Sequence, residues 1–251
     1  MKEATSCLTG KLIRREDLST SQVGDMHDLL GAHFEGVSRN IFERDLREKN
    51  WVILLEDVHG KIRGFSTLLC YRTCFEGKLV SVVYSGDTIV DRAYWGSQIL
   101  PTTWIHSVNR LRESCRTDYL FWLLISSGYR TYRFLPLFWK TYYPRYDLPT
   151  PPHRQRLLDT LASERFADAY RPTEGVVRFN HPQILRGELL AIPAGKLEDP
   201  HIAFFVQRNP GYIRGDELVC LTEIAAENLT TAGQRMWRKT TDGLGYPRHC
   251  G

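Results

Sequence analysis

The order of elements between Leu79 and Arg145 constrains the fold more than any other part of the sequence. A β-rich run at residues 79–90 passes through a tight turn into a long amphipathic segment, and a second apolar run follows at Tyr119–Ser126. This pattern predicts a strand, a helix from about Tyr94 to Glu113, and a second strand parallel to the first. Backbone N–H groups without intrahelical partners point out of such a turn, together with the positive end of the helix dipole. The turn therefore predicts a binding site for a phosphate-bearing ligand.

Apolar periodicity upstream of this unit predicts two helices and an antiparallel meander. The predicted elements are a short strand at Lys11–Arg14, a helix beginning near Ser19 or Thr20, a helix near Arg39–Glu48, a buried strand at Trp51–Leu55, and a hairpin turn at Asp57–Gly60 that leads into Lys61–Tyr71. Pro101 falls in the first turns of the long helix, where its missing N–H is tolerated.

A proline-rich segment, Asp147–Pro152, interrupts this pattern and is the best candidate for a boundary. We therefore divide the chain into a core at residues 1–146 and a C-terminal extension at residues 147–251. The extension contains too few apolar strands for a convincing core of its own, so we expect it to pack on the first part. Residues 240–251 are expected to be loosely ordered.

Composition argues against several classes of protein. No apolar run approaches the ~20 residues of a membrane-spanning helix, and residues 1–9 contain no signal-peptide segment. The six cysteines lack zinc spacing and a CxxC motif, which indicates reduced thiols, a cytoplasmic location and no metal site. The net charge of +4 is spread along the chain, so it favours an acidic small molecule or carrier protein over nucleic acid.

The element order and the local sequence together resemble the GNAT acyltransferases. In that family an apolar-Asp-Pro-like turn precedes an aromatic residue and an Arg-Gly-x-Gly-x-Gly pattern. Residues Ile89–Tyr94 match the approach to this pattern, and Gly96 matches its first glycine. The resemblance covers about Lys11 to Arg145. It implies an α/β fold with a mixed sheet whose central parallel strands splay, flanked by helices and followed by a C-terminal α+β extension.

Three positions of the phosphate-binding pattern differ from the family. Trp95 replaces the arginine, and Gln98 and Leu100 replace the later glycines, so a charge-assisted phosphate contact is lost and side chains fill the space near the backbone. Arg92 is the candidate for a replacement charge, and Gly96 is equally well explained as a turn glycine. The resemblance implies an acyl-CoA donor or, given the altered loop, an acyl-carrier protein. The predicted donor site comprises Arg92, Trp95, Gly96, Ser97, Gln98, Ile99 and Leu100.

Two polar residues interrupt the apolar strand that precedes the turn. Ser85 and Asp87 are two residues apart, so strand alternation predicts that both face the same side. A buried carboxylate has a raised pKa and is costly unless it is paired or used. In the family this strand lines the junction of donor and acceptor, so Asp87 is the predicted general base, with Ser85 beside it. The alternative role for Asp87 is a turn carboxylate that binds backbone N–H groups.

A tyrosine of GNAT enzymes can protonate the departing thiolate. Trp139 falls where that tyrosine is expected, and Tyr142 lies one turn further on, so Tyr142 is the predicted acid. The alternative is that Tyr142 is a half-buried core aromatic.

Apolar groups at Tyr119–Ile125 and Phe134–Trp139 are consistent either with a tunnel for a medium or long acyl chain or with a core strand and its helix.

The resemblance therefore implies an N-acyltransferase that moves an acyl group from a thioester to an amine by direct attack. The acceptor is expected to be a small-molecule or peptide amine, with an acyl-carrier protein as a possible partner. Two alternatives stay open: an enzyme of the acyl-homoserine-lactone synthase type, and a catalytically inactive GNAT-like binding module.

Overall fold

The computed structural model describes residues 8–115 and 117–238, so residues 1–7, Cys250 and the predicted tail from Thr240 lie outside the described residues. The first half of the chain contains β1 (Thr9–Arg14), α1 (Thr20–His33), β2 (Phe34–Glu35), α2 (Arg39–Arg47), β3 (Trp51–Glu56), β4 (Ile62–Phe75), β5 (Lys78–Val90), α3 (Ile99–Ser114) and β6 (Leu120–Ser126).

The second half continues with α4 (Tyr129–Tyr132), α5 (Phe134–Phe138), β7 (Tyr142–Tyr143), α6 (Pro152–Phe166), β8 (Tyr170–Arg171), β9 (Val176–Val177), β10 (Ile184–Leu185), α7 (Gly187–Leu190), α8 (Pro200–Arg208), β11 (Glu217–Glu223) and α9 (Thr231–Arg238). None of the helices within residues 8–115 and 117–238 combines the length and apolar character needed to cross a membrane.

A nine-stranded mixed sheet forms the centre of the molecule. Its strand order is β1-β3-β4-β5-β6-β11-β9-β8, with β7 also pairing to β11. The pairs β1–β3, β3–β4 and β4–β5 are antiparallel. The next pair, β5–β6, is parallel, and α3 connects its two strands. This arrangement of an antiparallel meander followed by a parallel crossover confirms the predicted GNAT-like α/β fold.

Apolar side chains cover both faces of this sheet. On one face α3 packs over the sheet, with a core that includes Leu12, Ile53, Leu68, Val83, Trp104 and Trp122. The opposite face is covered in two parts. Helices α1 and α2 cover the β3–β4 side, where Met26, Leu30, Phe42 and Leu46 pack against Phe65 of β4. Helix α6 covers the β5–β6–β11 side, where Leu158 and Leu161 pack in one core with Tyr84, Leu123 and Val219 of the strands.

Strands from the C-terminal part lie in the same sheet as the N-terminal strands. Strand β11 pairs antiparallel with β6 from Leu218 opposite Ser126 to Glu223 opposite Phe121. Its residues Leu218–Thr222 are all buried, because both faces of β11 are covered. The residues after the proline-rich segment thereby extend the central sheet beyond β6.

The long helix begins five residues later than the sequence predicts. A 3-10 turn at Arg92–Tyr94 precedes it, and the Asp91 carboxylate accepts a hydrogen bond from the Ala93 N–H at 3.1 Å. Helix α3 then starts at Ile99 and places Pro101 in its first turn. The expected role of the proline is confirmed, and the capped turn explains the later start.

Candidate active site

The parallel strands β5 and β6 separate partway along their length. Their last paired residues are Ser85 and Leu124, although β5 continues to Val90 and β6 to Ser126. On its other side β5 pairs with β4, where Leu68 lies opposite Ser85 and Ser66 lies opposite Thr88. Two residues of β5, at positions 86 and 87, therefore face one residue of β4. This is a β-bulge, and it lies at the point where the parallel pair opens.

Close packing at the bulge requires a glycine at position 86. A Cβ atom on Gly86 would lie 2.8 Å from the Thr67 Oγ1 and 2.9 Å from the Lys49 Cε. Thr67 is buried, and its hydroxyl has no hydrogen-bond partner among the described residues. The backbone at Gly86 can therefore approach Thr67 of β4 and Lys49, two residues after α2, only because it carries no side chain.

The bulge places Ser85 and Asp87 on opposite faces of the sheet, which corrects the expectation that they share one. The buried Ser85 hydroxyl accepts a hydrogen bond of 2.7 Å from the Trp122 Nε1, within the core beneath α3. Gly86 faces Lys49 on the other side, and the charges of Lys49 and Asp45 act on the Asp87 carboxyl. The extra residue in the bulge breaks the two-residue alternation on which the prediction depended.

Substitution of Ser85 by alanine is expected to destabilise the fold by about 1–3 kcal/mol, because the buried Trp122 N–H would lose its acceptor. The midpoint of thermal unfolding should fall by about 2–4 °C for each kcal/mol lost. Ser163→Ala on the exposed side of α6 is the control and should change the free energy of unfolding by less than about 0.5 kcal/mol. Equal midpoints for Ser85→Ala and wild type would contradict a structural role for this bond.

A cavity of about 1090 Å³ occupies the opening between β5 and β6. Because the strands have separated there, its walls come from both faces of the sheet. The wall beneath α3 is largely aromatic and apolar and includes Leu100, Trp104, Trp122, Phe134, Phe138 and Met236. The opposite wall is rich in charged and polar groups and includes Asp45, Glu48, Tyr84, Asp87, Arg165 and Glu217. The cavity therefore joins an apolar end to an acidic end through the gap in the sheet.

Two carboxyl groups of the acidic end have strongly raised pKa values. Burial, followed by the charge of Asp45, raises the pKa of Asp87 to about 7 against the opposing charge of Lys49. Burial, followed by the charges of Asp87 and Asp45, raises the pKa of Glu217 to about 8. Both groups therefore titrate close to neutral pH, the range that favours acid–base catalysis.

Four other charged groups at this end form ion pairs with one another. Lys49 is buried and binds the Asp45 carboxylate at 2.6 Å, and Arg165 binds Glu48 at 2.6 Å. By contrast, no hydrogen bond or ion pair joins the side chain of Asp87 or of Glu217 to any residue within 8–115 or 117–238. Two unpaired carboxyl groups thus face the cavity beside two compensated ion pairs.

Four of the seven predicted donor residues line the cavity: Trp95, Ser97, Gln98 and Leu100. The other three do not. Arg92 is exposed and binds Glu188 at 2.6 Å, Gly96 is exposed with open space around its Cα, and the N–H of Ile99 donates to the Ser97 hydroxyl at 3.2 Å.

The first turn of α3 offers few hydrogen-bond donors to an anion. The Ile99 N–H is taken by Ser97, and Pro101 has no N–H. Of the first three residues of α3, only Leu100 keeps a backbone N–H without a partner among the described residues. The helix N terminus can thus supply one free donor from these positions, together with its dipole.

Arg130 is a cationic residue of this region that sequence reasoning missed. Its guanidinium lies 4.5 Å from the centroid of the Trp95 ring and 4.7 Å from that of Tyr129, and it donates to the Leu189 carbonyl at 2.9 Å. Arg130 lines the cavity from α4, on the chain after β6. It brings a positive charge to the turn from which the family arginine is missing, and only the folded structure reveals this proximity.

The structure does not bring Tyr142 to the cavity. Tyr142 lies in β7, paired with Thr222 of β11, and its hydroxyl is 3.0 Å from the His201 Nδ1. It is buried, and burial raises the pKa of its hydroxyl. Among the residues described, no group of three or more His, Cys, Asp or Glu side chains is arranged to hold a metal ion.

The sequence matches no protein-family model and no curated protein. Among solved structures it is similar to a GNAT family N-acetyltransferase from Escherichia coli in complex with CoA, at 18% identity over 51% of this chain and 68% of the other, with a TM-score of 0.38. An acetyltransferase from Trypanosoma brucei is 18% identical over 57% of this chain and all of its own, with a TM-score of 0.40. The N-myristoyltransferase of Saccharomyces cerevisiae with bound myristoyl-CoA is 15% identical over 68% of this chain and 44% of its own, with a TM-score of 0.39.

Proposed function

We propose that this chain is an N-acyltransferase that moves an acyl group from a thioester to an amine. The observation that carries the proposal is the position of Asp87. Its carboxyl lies in the bulge where β5 and β6 separate, it faces a cavity that reaches both faces of the sheet, and its pKa is about 7. Asp87 can therefore take a proton at neutral pH from an amine that enters on one face to meet a thioester bound on the other.

The proposed reaction proceeds by direct attack. The amine nitrogen forms the new C–N bond, the C–S bond breaks, and the electron pair of that bond leaves with sulfur. An ammonium acceptor loses two protons in total: one ends on the sulfur to give the free thiol, and the other leaves through Asp87. Ser85 holds the Trp122 ring beneath the reacting centre as a positioning residue. Tyr142 has no part in the chemical step, because its hydroxyl lies against His201.

For the donor we propose a site along the α3 face of the gap. Arg130, with the Leu100 N–H and the dipole of α3, would hold the anionic end of CoA or of the carrier-protein arm. The hydrogen-bonded pairing of β5 with β6 ends at Ser85. Beyond this residue, backbone N–H groups on that edge of β5 are available to bind the thioester carbonyl oxygen. The apolar wall beneath α3 favours a medium or long acyl chain, since each methylene buried there contributes about 0.8 kcal/mol.

The test is thiol release with acyl-CoAs and acyl-carrier proteins of increasing chain length, together with native-mass measurement of donor binding. We expect turnover with a panel of amines and tighter binding as the chain lengthens. Arg130→Ala should weaken donor binding by about tenfold, as expected for the loss of a charge-assisted contact. The control is Arg156→Ala, which removes an exposed arginine of α6 bound to Glu76 outside the cavity.

Donor binding without turnover for any amine would contradict the proposal and favour the inactive binding module. Turnover that yields an acylated lactone from S-adenosylmethionine would favour the synthase alternative. Equal donor affinities for Arg130→Ala and Arg156→Ala would exclude Arg130 from the donor site while leaving the activity itself intact.

A further inference from the structure

The strand register places three acceptor groups on one face of the sheet. Tyr84 of β5 lies opposite Leu123 of β6, and both belong to the core beneath α6. Glu217 of β11 shares the face of Val219, which belongs to the same core, because side chains two apart on a strand point the same way. The bulge turns Asp87 to this face as well. Two strands, β5 and β11, therefore deliver one hydroxyl and two carboxyls to the acidic end of the cavity.

Tyr84 is a buried polar residue that faces this space. It is only 4% exposed, yet it lines the cavity, and its hydroxyl has no hydrogen-bond partner within residues 8–115 and 117–238. The ring is fixed by neighbours: its centroid lies 5.3 Å from the Lys49 Nζ, 5.1 Å from the Arg165 guanidinium and 5.5 Å from the Phe166 ring. The Tyr84 hydroxyl therefore offers an unoccupied acceptor to a donor group bound in the cavity.

The surrounding charges do not occupy these three acceptors. Besides Tyr84 and the two carboxyls, the titratable or charged groups that line this cavity are His33, Arg44, Asp45, Glu48, Tyr94, Tyr129, Arg130, Arg133, Arg165, His181 and Lys196, and Lys49 is bound to Asp45. Asp45 and Glu48 are paired with Lys49 and Arg165. Lys49 and Arg165 are thus engaged with Asp45 and Glu48, and among the described residues no cation is paired with Asp87 or Glu217.

We propose that Tyr84, Asp87 and Glu217 form the acceptor subsite, in which the ammonium ion of a primary amine donates its three N–H groups to the Tyr84 hydroxyl and the Asp87 and Glu217 carboxylates. This inference rests on the proposed function, because it identifies the residues that bind the acceptor of the same reaction. A primary ammonium has three N–H donors, one for each of the three acceptor groups of the site. A quaternary ammonium has the charge without the donors, and an alcohol has one donor without the charge, so neither satisfies the site.

The experiment measures binding first, so that it does not depend on turnover. Wild-type protein is titrated calorimetrically at pH 7 with butylammonium, butyltrimethylammonium and butan-1-ol, in two buffers of different ionisation enthalpy. We expect butylammonium alone to bind, with release of protons, because its charge ionises the two carboxyls. Glu217→Gln should raise its dissociation constant by about tenfold or more and reduce the proton release.

Glu223→Gln is the matched control. Glu223 ends the same strand that Glu217 begins, but it pairs with Arg154 and lies outside this cavity. Tyr84→Phe tests the hydroxyl alone and should weaken butylammonium binding less than Glu217→Gln, because it removes a neutral acceptor.

Each outcome separates this inference from the proposed function. Butylammonium binding that Glu217→Gln abolishes, in a protein without acyl transfer, would support the ammonium site and contradict the activity. Acyl transfer to amines with the same KM for the amine in wild type, Glu217→Gln and Glu223→Gln would overturn the ammonium site and leave the activity standing. Equal binding of butylammonium and butyltrimethylammonium, or no binding of either, would also overturn the site.

Discussion

Asparagine in place of Asp87 is expected to lower kcat/KM for acyl transfer by about 10²–10⁴-fold, the usual range for loss of a positioned general base. Glu217, whose pKa is about 8, is expected to contribute one increase of kcat/KM with pH, which the variant keeps. Because the pKa of Asp87 is raised to about 7, wild-type kcat/KM should also increase with pH through that value. The variant should lose this step. A pH profile from 5.5 to 8.5, taken with an amine whose own pKa lies well above this range, isolates the contribution of the carboxyl.

Stability measured on the same variant shows whether the loss is chemical or structural. The pKa of Asp87 is about 7 in the folded protein and near 3.9 in the unfolded chain, so between these pH values the folded protein binds more protons. The free energy of unfolding therefore falls as the pH rises from about 4 to 7. Asp87→Asn should therefore be more stable than wild type at pH 8 and similar to it at pH 4. Asp118→Asn, at an exposed position before β6, should match wild type in both measurements. Activity that persists in Asp87→Asn with an unchanged pH profile would exclude Asp87 as the base.

Alanine in place of Gly86 is expected to reduce both stability and activity. The added Cβ would lie 2.8 Å from the Thr67 Oγ1 and 2.9 Å from the Lys49 Cε, so β5 must shift at the bulge that carries Asp87. Overpacking of this kind costs about 1–3 kcal/mol. A displacement of about 1 Å at a reacting group can cost about 10²-fold in rate. Chemical denaturation and kcat/KM measure the two effects on one sample.

Thr67→Ala provides the internal check on that mechanism. It removes the hydroxyl that the new Cβ would meet, and that hydroxyl has no partner to lose. The double variant should recover much of the lost stability, with a coupling free energy of about 1 kcal/mol or more, whereas independent sites add within about 0.5 kcal/mol. Gly96→Ala, with open space at its Cα, is the control and should leave the free energy of unfolding nearly unchanged. Strict additivity in the cycle would contradict the steric explanation.

Local pattern was sufficient to predict the central unit of the fold. The β-rich run at residues 79–90, the amphipathic segment after it and the apolar run of β6 correspond to a parallel crossover in the structure. These elements follow from hydrophobic periodicity, which acts over a few residues. Asp87 was identified in the same way, as a carboxyl that interrupts an apolar strand, and the structure places it in the cavity with a raised pKa.

The finer geometry of the site depended on contacts between distant segments. Alternation predicted one face for Ser85 and Asp87, and a single extra residue in the bulge reversed that relation. Gly86, an isolated glycine within a strand, was the available signal for the bulge. Glu217 gave no such signal, since its place beside Asp87 is set by the pairing of β11 with β6. Arg130 reaches Trp95 for a similar reason, because α4 follows β6 at the open end of the sheet.

The pairing of β11 with β6 also determines when, during synthesis, the cavity can be completed. Ribosomes add residues at about 5–20 per second, and the chain has passed β6 well before Glu217 emerges. Until β11 arrives, the nascent chain carries β6 as a bare, strongly apolar edge strand with one wall of the cavity absent. The acidic end of the cavity is thus among the last parts of the molecule to form, and a chain that stops after its first half keeps Asp87 but has no Glu217 to face it.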